Sequence, residues 1–229
     1  MRIIAQFHKG DELRFISHLD ILRLMQRAMR RAGFPLTYSQ GFNPHPLVSF
    51  ASALALGYTS DAEWVDVKLN EDISPEGFKE RLNSSLPAGL SISCAKVIKD
   101  SEKSLTMLLK QAAYSVMLEF DEPIHEDLLR RGIDTLLSGP ILVTKRTKGG
   151  FKSVDLRPNL ISMDYFMPNA KSNEAQRAAQ LRVTGVLSAS GGLQVELLLK
   201  ELLKTCGVGA RTRVHRTAVV FENFEELHE

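Results

Sequence analysis

The chain has 229 residues, 44% of them hydrophobic and 24% charged, the makeup of a folded globular protein with one large or two ordinary domains. Its formal net charge of +2 excludes a uniformly basic nucleic-acid binder, so contact with a polyanion has to come from local patches. Cys94 and Cys206 are the only cysteines, both in apolar surroundings and without CxxC spacing, which argues against a cysteine-held zinc or iron–sulfur site and for buried thiols in a reducing compartment.

The opening MRIIAQFHKGDEL lacks a signal-peptide core, and no run approaches the length needed to cross a bilayer, so the expected location is cytoplasmic. Residues 2–8 alternate as a strand, 9–12 read as a turn and 13–16 as further extended chain. A helix follows. Ser17 is placed to accept a hydrogen bond from the Asp20 N–H, and Asp20 puts negative charge in the first turn, where the helix dipole favours it. Leu19, Leu22, Met25, Met29 and Ala32 make an apolar stripe, and Gly33 supplies a left-handed cap. Arg23, Arg27, Arg30 and Arg31 fall on one face. Such a face is either a solvated surface or a phosphate-binding one, for which the guanidinium fork is suited.

Residues 36–39 read as a strand, and then Tyr38, Phe42, His45 and Phe50 interleave with Gly41, Asn43, Pro44 and Pro46. The prolines stiffen this GFNPHP loop, which is either a rigid crossover whose aromatics plug the core or a ligand-contacting loop. Residues 47–56 and 63–69 read as extended, 74–85 as a helix opened by Ser-Pro-Glu, and 90–98 as a half-buried strand. After a linker at 101–111 come a strand at 114–120, a helix at 125–137, a strand at 141–146, a basic turn at 147–150, and extended chain at 154–166 broken by Arg157-Pro158. A polar loop at 167–179, a strand at 181–189, a helix at 193–205 and a strand at 211–221 complete the order. The expected fold is α+β: two tandem ferredoxin-like (βαββαβ) units at residues 1–100 and 112–229, antiparallel sheets with helices on one face, against the alternative of one larger mixed domain.

His8, His18 and His45 are candidate general acids or bases, and a His18 or His45 paired with arginines would suit metal-independent RNA cleavage; none has a decisive partner in sequence. No metal-ligand spacing occurs, since His18 and Asp20 lie two apart on a helix. Gly149-Gly150, Gly191-Gly192 and Gly207-Val-Gly209 match no nucleotide-binding pattern and read as turns. A second basic patch is expected from Lys145, Arg146, Lys148, Lys152 and Arg157, continued by Arg211, Arg213 and Arg216.

At FISHLDILRLMQRAMRRAGFPLTYSQGFNPHPLVSFASALALGYTSDAEW, and again at VDLRP, the chain resembles the bacterial radical-SAM-associated, or radical-SAM-linked, family, a domain of unknown function. The resemblance runs over nearly the whole chain. It implies a partner: in that family the domain is encoded beside a radical S-adenosylmethionine protein or fused to the C-terminus of one, often near genes for a ribonuclease of the E/G type and for ribosomal proteins. It implies no activity. Lacking CxxxCxxC, this chain leaves radical chemistry to that partner and is expected to carry no cofactor of its own. Tandem ferredoxin-like units with basic faces are also similar, in fold alone, to CRISPR repeat-processing RNA endonucleases.

The resulting expectation is an RNA-binding accessory protein, acting with a radical-SAM partner on tRNA or rRNA, through Arg23, Arg27, Arg30, Arg31, Tyr38, Phe42, Asn43, His45, Lys145, Arg146, Arg157, Arg211 and Arg213. The alternatives are a metal-independent RNA endonuclease, or a docking module for the radical-SAM enzyme in which GFNPHP contacts protein and not RNA.

Overall fold

The computed structural model describes residues 1–147, 149–167 and 174–222. The expectations for Lys148 and for 168–173 of the polar loop fall outside them. The chain divides into two compact units, one of Met1–Lys110 with the chain from His215 onward, the other of Gln111–Val214.

In the first unit β1 (Arg2–Lys9) lies between β3 (Thr59–Lys68) and β4 (Leu90–Ile98), antiparallel to both. The far edge of β3 carries β2 (Val48–Phe50), antiparallel at Val48↔Val67, and then β11 (Ala210–Phe221), parallel at His215↔Thr59 and Arg216↔Ser60. Alternation in β1 sends Ile3, Ala5 and Phe7 to one face, where they meet Ile21, Met25, Ala28 and Met29 of α1 (His18–Arg31) and Phe78 and Leu82 of α2 (Pro75–Asn83). Each fully buried side chain of this size contributes about 1.5–3 kcal/mol, so this helix-on-sheet layer is the unit's main source of stability. The opposite face holds Arg2 in a buried ion pair with Asp66 at 2.6 Å. Arg2 also donates to the carbonyls of Glu102 and Lys103, which draws the chain before α3 (Leu105–Leu108) across that face.

In the second unit β5 (Leu109–Ile124) runs beside β9 (Gln176–Ser188), antiparallel from Gln111↔Val186 to Glu119↔Ala178. The other edge of β9 carries β8 (Leu160–Phe166) and the short β10 (Gly191–Gly192), and β5 is flanked on its other side by β11. Helices α4 (Glu126–Leu137) and α5 (Val195–Cys206) pack together, with Leu129, Ile133, Leu198 and Leu202 buried, and any Cβ at Gly132 would collide with Cys206 Sγ. Only glycine permits that approach. Among the described residues β6 (Leu142–Thr147) and β7 (Gly150–Asp155) pair solely with each other, as a separate two-stranded ribbon.

Several expected elements differ. Residues 36–39 form no strand, only isolated bridges Leu36↔Leu69 and Tyr38↔Pro46, because Pro35 and Pro46 have no N–H to donate to a ladder. Of the extended run at 47–56 just Val48–Phe50 pairs, and 13–16 follows a 3-10 turn at Asp11–Leu13 instead of extending. Extended chain expected at 154–166 is split between the ribbon and β8 by a 3-10 turn at Arg157–Asn159. Within the polar loop, Gln176–Ala179 already belong to β9, their polarity reflecting solvated strand positions.

Candidate functional site

Local sequence positions α1. Ser17 Oγ accepts from the Asp20 N–H at 3.2 Å and donates to the Asp20 carboxylate at 2.7 Å, and together with Arg23 this holds the Asp20 carboxyl below its ordinary range. At the other end Gly33 takes φ 70°, and the Arg81 guanidinium donates to the carbonyls of Ala32 and Gly33. The buried stripe is Ile21, Met25, Ala28 and Met29; Leu19, expected inside, is 60% exposed. Six residues before Met25 at about 100° per residue, Leu19 points well away from the core.

Arg23, Arg27, Arg30 and Arg31 are all exposed. Arg23 pairs with Asp20 at 3.0 Å, and Arg31 donates to the Ser85 carbonyl at 2.7 Å. Arg27 and Arg30 reach only carbonyls of their own helix, at 3.4 Å, and among the described residues no carboxylate pairs with either.

The GFNPHP loop is closed by three contacts: the Ser39 N–H donates to the His45 carbonyl at 2.9 Å, the His45 N–H to Ser39 Oγ at 3.1 Å, and Ser39 Oγ meets His45 Nδ1 at 2.9 Å. Its tip presents a wholly exposed Phe42 beside exposed Asn43, with Tyr38 also exposed. Only Phe50 packs inward, 4.9 Å from Phe7. His45 borders an open groove with Arg2, Asp66 and Lys68, whose side chains alternate away from the face of β1 and β3 that α1 covers. The arginine face and His45 therefore lie on different sides of the first unit.

His18 is turned inward, edge-on to Phe50 at 5.3 Å, and lines a small pocket with Phe7, Lys9, Ile21, Leu54 and Glu63. The Lys9 ammonium, 3% exposed, donates to the Arg14 and Ile16 carbonyls at 3.3 and 3.2 Å. Burial pushes both the Lys9 amine and the His18 imidazole below their usual values, because desolvation disfavours the charged form. A depressed imidazole contributes stability that is present above the unfolded value, about 6.5, and is lost as pH falls through the folded one. Denaturant melts should thus show wild type losing stability, as pH falls below the unfolded imidazole value, that His18→Gln does not lose. Equal pH dependence in the two proteins would refute this.

A constellation not foreseen in the sequence lies at the end of the same sheet. His8 Nδ1 meets Asp61 Oδ1 at 2.6 Å, His215 Nε2 meets Asp61 Oδ2 at 3.0 Å, and Thr59 Oγ1 meets His215 Nδ1 at 2.8 Å. The register shift between Phe7 and Lys9 is what sets Asp61 opposite His8. Burial pushes the Asp61 carboxyl up, but hydrogen bonds from the two imidazoles outweigh it and leave it below the ordinary range. An ionised Asp61 accepts from both rings, and the contact through Nδ1 leaves His8 Nε2 turned away from the carboxylate. Sequence separations of 53 and 154 residues hid this group; His8 alone carried a local signal.

Lys145 and Arg146 are exposed on the ribbon, and Arg211 and Arg213 on β11. Arg157 is half-buried and spends its guanidinium on the Leu137 and Leu160 carbonyls, while Asp155 accepts the Ile141 and Arg157 N–H groups, so the DLRP motif locks a turn. Arg216, expected in a basic patch, is buried against Glu63 at 3.0 Å, both 4% exposed. Among the described residues, no three His, Cys, Asp or Glu side chains are placed to hold a metal ion, and no helix is long and apolar enough to cross a membrane.

Mixed α+β units built on mostly antiparallel sheet define the class, and solved structures share it. A Cbf5–Nop10–Gar1 complex matches with a TM-score of 0.55 at 11% identity, over 97% of this chain and 50% of that one. An archaeal box H/ACA sRNP Nop10–Cbf5 complex matches with 0.51 at 10% identity, over 93% and 46%, and an H/ACA RNP bound to a substrate RNA containing 2'-deoxyuridine with 0.51 at 9%, over 94% and 46%. The chain spans about half the length of these chains, and at such identities the likeness is one of fold. No curated protein matches the sequence. The chain belongs to the family described as an uncharacterized protein conserved in bacteria (DUF2344), matched over residues 2–194.

Proposed function

We propose that this protein binds RNA and presents tRNA or rRNA to a radical-SAM enzyme for modification or processing. The observation that carries the reading is the outer face of α1, where Arg23, Arg27 and Arg30 are exposed and the last two have no carboxylate partner among the described residues. Such guanidinium groups are free to neutralise phosphates. Fold likeness to chains from an H/ACA sRNP complex and from an H/ACA RNP bound to a substrate RNA supports it. The radical-SAM partner rests on the SHLD, GFNPHP and DLRP resemblance, and the bare Phe42 tip, on another side from the arginines, is the surface we assign to that partner.

The fold supports a matching domain reading. Strand order β2-β3-β1-β4 in the first unit, with helices after β1 and β3, and the run β8-β9-β5 in the second, with helices after β5 and β9, are what βαββαβ units would give, and on that ground we assign ferredoxin-like units to residues 1–100 and 112–229. Filter binding of structured and unstructured RNA across a salt series tests the function. Affinity falling linearly with the logarithm of salt concentration is expected; no salt-dependent affinity for any RNA overturns it.

The His8–Asp61 pair favours a second reading, metal-independent RNA cleavage. His8 Nε2 would take the proton of a 2'-hydroxyl as it attacks the adjacent phosphorus, the 5'-oxygen leaving with a proton from solvent. Labelled RNA incubated with pure protein in chelator should then be cut by wild type and spared by His8→Ala. RNA left intact by wild type removes this reading and leaves the first in place.

A further inference from the structure

The ribbon of β6 and β7 is hard to explain as structure alone. Among the described residues it pairs with no other strand, and a lone two-stranded hairpin is marginal in water. Its base is anchored: Val143 is buried, the Ile141 N–H donates to the Asp155 carboxylate at 2.8 Å, and the Leu156 N–H donates back to the Ile141 carbonyl at 2.9 Å. Its outer part is bare. The register sets Lys145 directly opposite Lys152 and Arg146 directly opposite Phe151, all exposed, Phe151 to 79%. Two lysines across a ladder repel, and an aromatic ring left in water gains nothing from burial, so the isolated chain is penalised at both pairs. Among the described residues no carboxylate pairs with Lys145, Arg146 or Lys152. A polyanion carrying flat apolar rings would relieve both penalties at once.

We propose that this ribbon is a second RNA contact, an arm that holds single-stranded RNA by stacking a base on Phe151. This rests on the RNA-binding reading above and adds to it a separate element and a substrate class. Strand alternation places Arg146 and Phe151 on one face and Lys145 and Lys152 on the other. On the first face Arg146 lies across from the ring, within reach of the phosphate that follows a stacked base, while the lysines draw the backbone around the arm. Stacking selects unpaired bases, because those of a duplex offer no free ring face.

The test uses the full chain, a 12-nucleotide oligouridylate and a blunt RNA duplex of the same length. Phe151→Ala should weaken oligouridylate binding roughly tenfold while leaving duplex binding unchanged. The pair Lys145→Ala/Lys152→Ala should lower the single-strand salt slope by about 1.4. In Phe151→Trp, where the only other tryptophan is the buried Trp64, oligouridylate should quench the exposed indole, and circular dichroism matching wild type establishes that the variants fold. Wild type that binds oligouridylate with salt dependence while Phe151→Ala and the lysine variant bind equally well overturns the arm and spares the RNA-binding reading. Wild type that binds no RNA at any salt overturns both.

Discussion

Glu63→Ala is expected to cost about 3–5 kcal/mol of stability, measured as a lowered midpoint in urea, while the double variant Glu63→Met/Arg216→Met recovers most of that loss. Both partners are 4% exposed, and the guanidinium meets the carboxylate at 3.0 and 3.1 Å while also donating to Ser52 Oγ at 2.7 Å and the Ala53 carbonyl at 3.3 Å. Removing the carboxylate alone takes this ion pair from the buried Arg216 guanidinium, and takes a negative charge from the pocket wall that Glu63 shares with the buried Lys9 ammonium. Removing both charges and filling their volume eliminates the desolvation cost instead. The pair also sits at the parallel contact where β11 and β3 align over His215↔Thr59 and Arg216↔Ser60. A single variant within 1 kcal/mol of wild type, or a double variant no better than the single, would show that the pair is screened despite its burial.

How much of this was legible in the sequence depends on the distance over which each feature is encoded. The cap at Ser17 and Asp20 and the turn at Gly33 are written within a few residues and are found where spacing places them. The stripe was misjudged at its first turn: Leu19 and Ile21 are equally apolar, and only phase relative to Met25 and Met29, set by packing on β1, selects Ile21. Charge was harder still. Arg211, Arg213 and Arg216 look alike in a row of alternating residues, yet Arg216 is consumed by Glu63, because a partner 153 residues away leaves no local trace. The His8, Asp61 and His215 group is the extreme case, since three strands and a register shift have to form before an imidazole acquires its carboxylate.

Arg23→Ala/Arg27→Ala/Arg30→Ala should lower affinity for single-stranded RNA by roughly 10–100-fold near 0.15 M salt and reduce the salt slope by about 2, the sum expected from three lost phosphate contacts. Folding should be little changed, within about 0.5 kcal/mol, because all three side chains are exposed and only Arg23 holds an ion pair, with an exposed carboxylate. Arg31 belongs outside the set: its guanidinium donates to the Ser85 carbonyl, so Arg31→Ala loosens the link from α1 to the end of α2 and would confuse affinity with stability. Arg→Lys at the three positions separates charge from shape, because lysine preserves the counterion term but not the bidentate fork; the slope should return to the wild-type value while affinity recovers only in part. An unchanged slope in the alanine variant would mean that α1 touches no phosphate, and its arginines would then be a solvated face whose charge serves solubility alone.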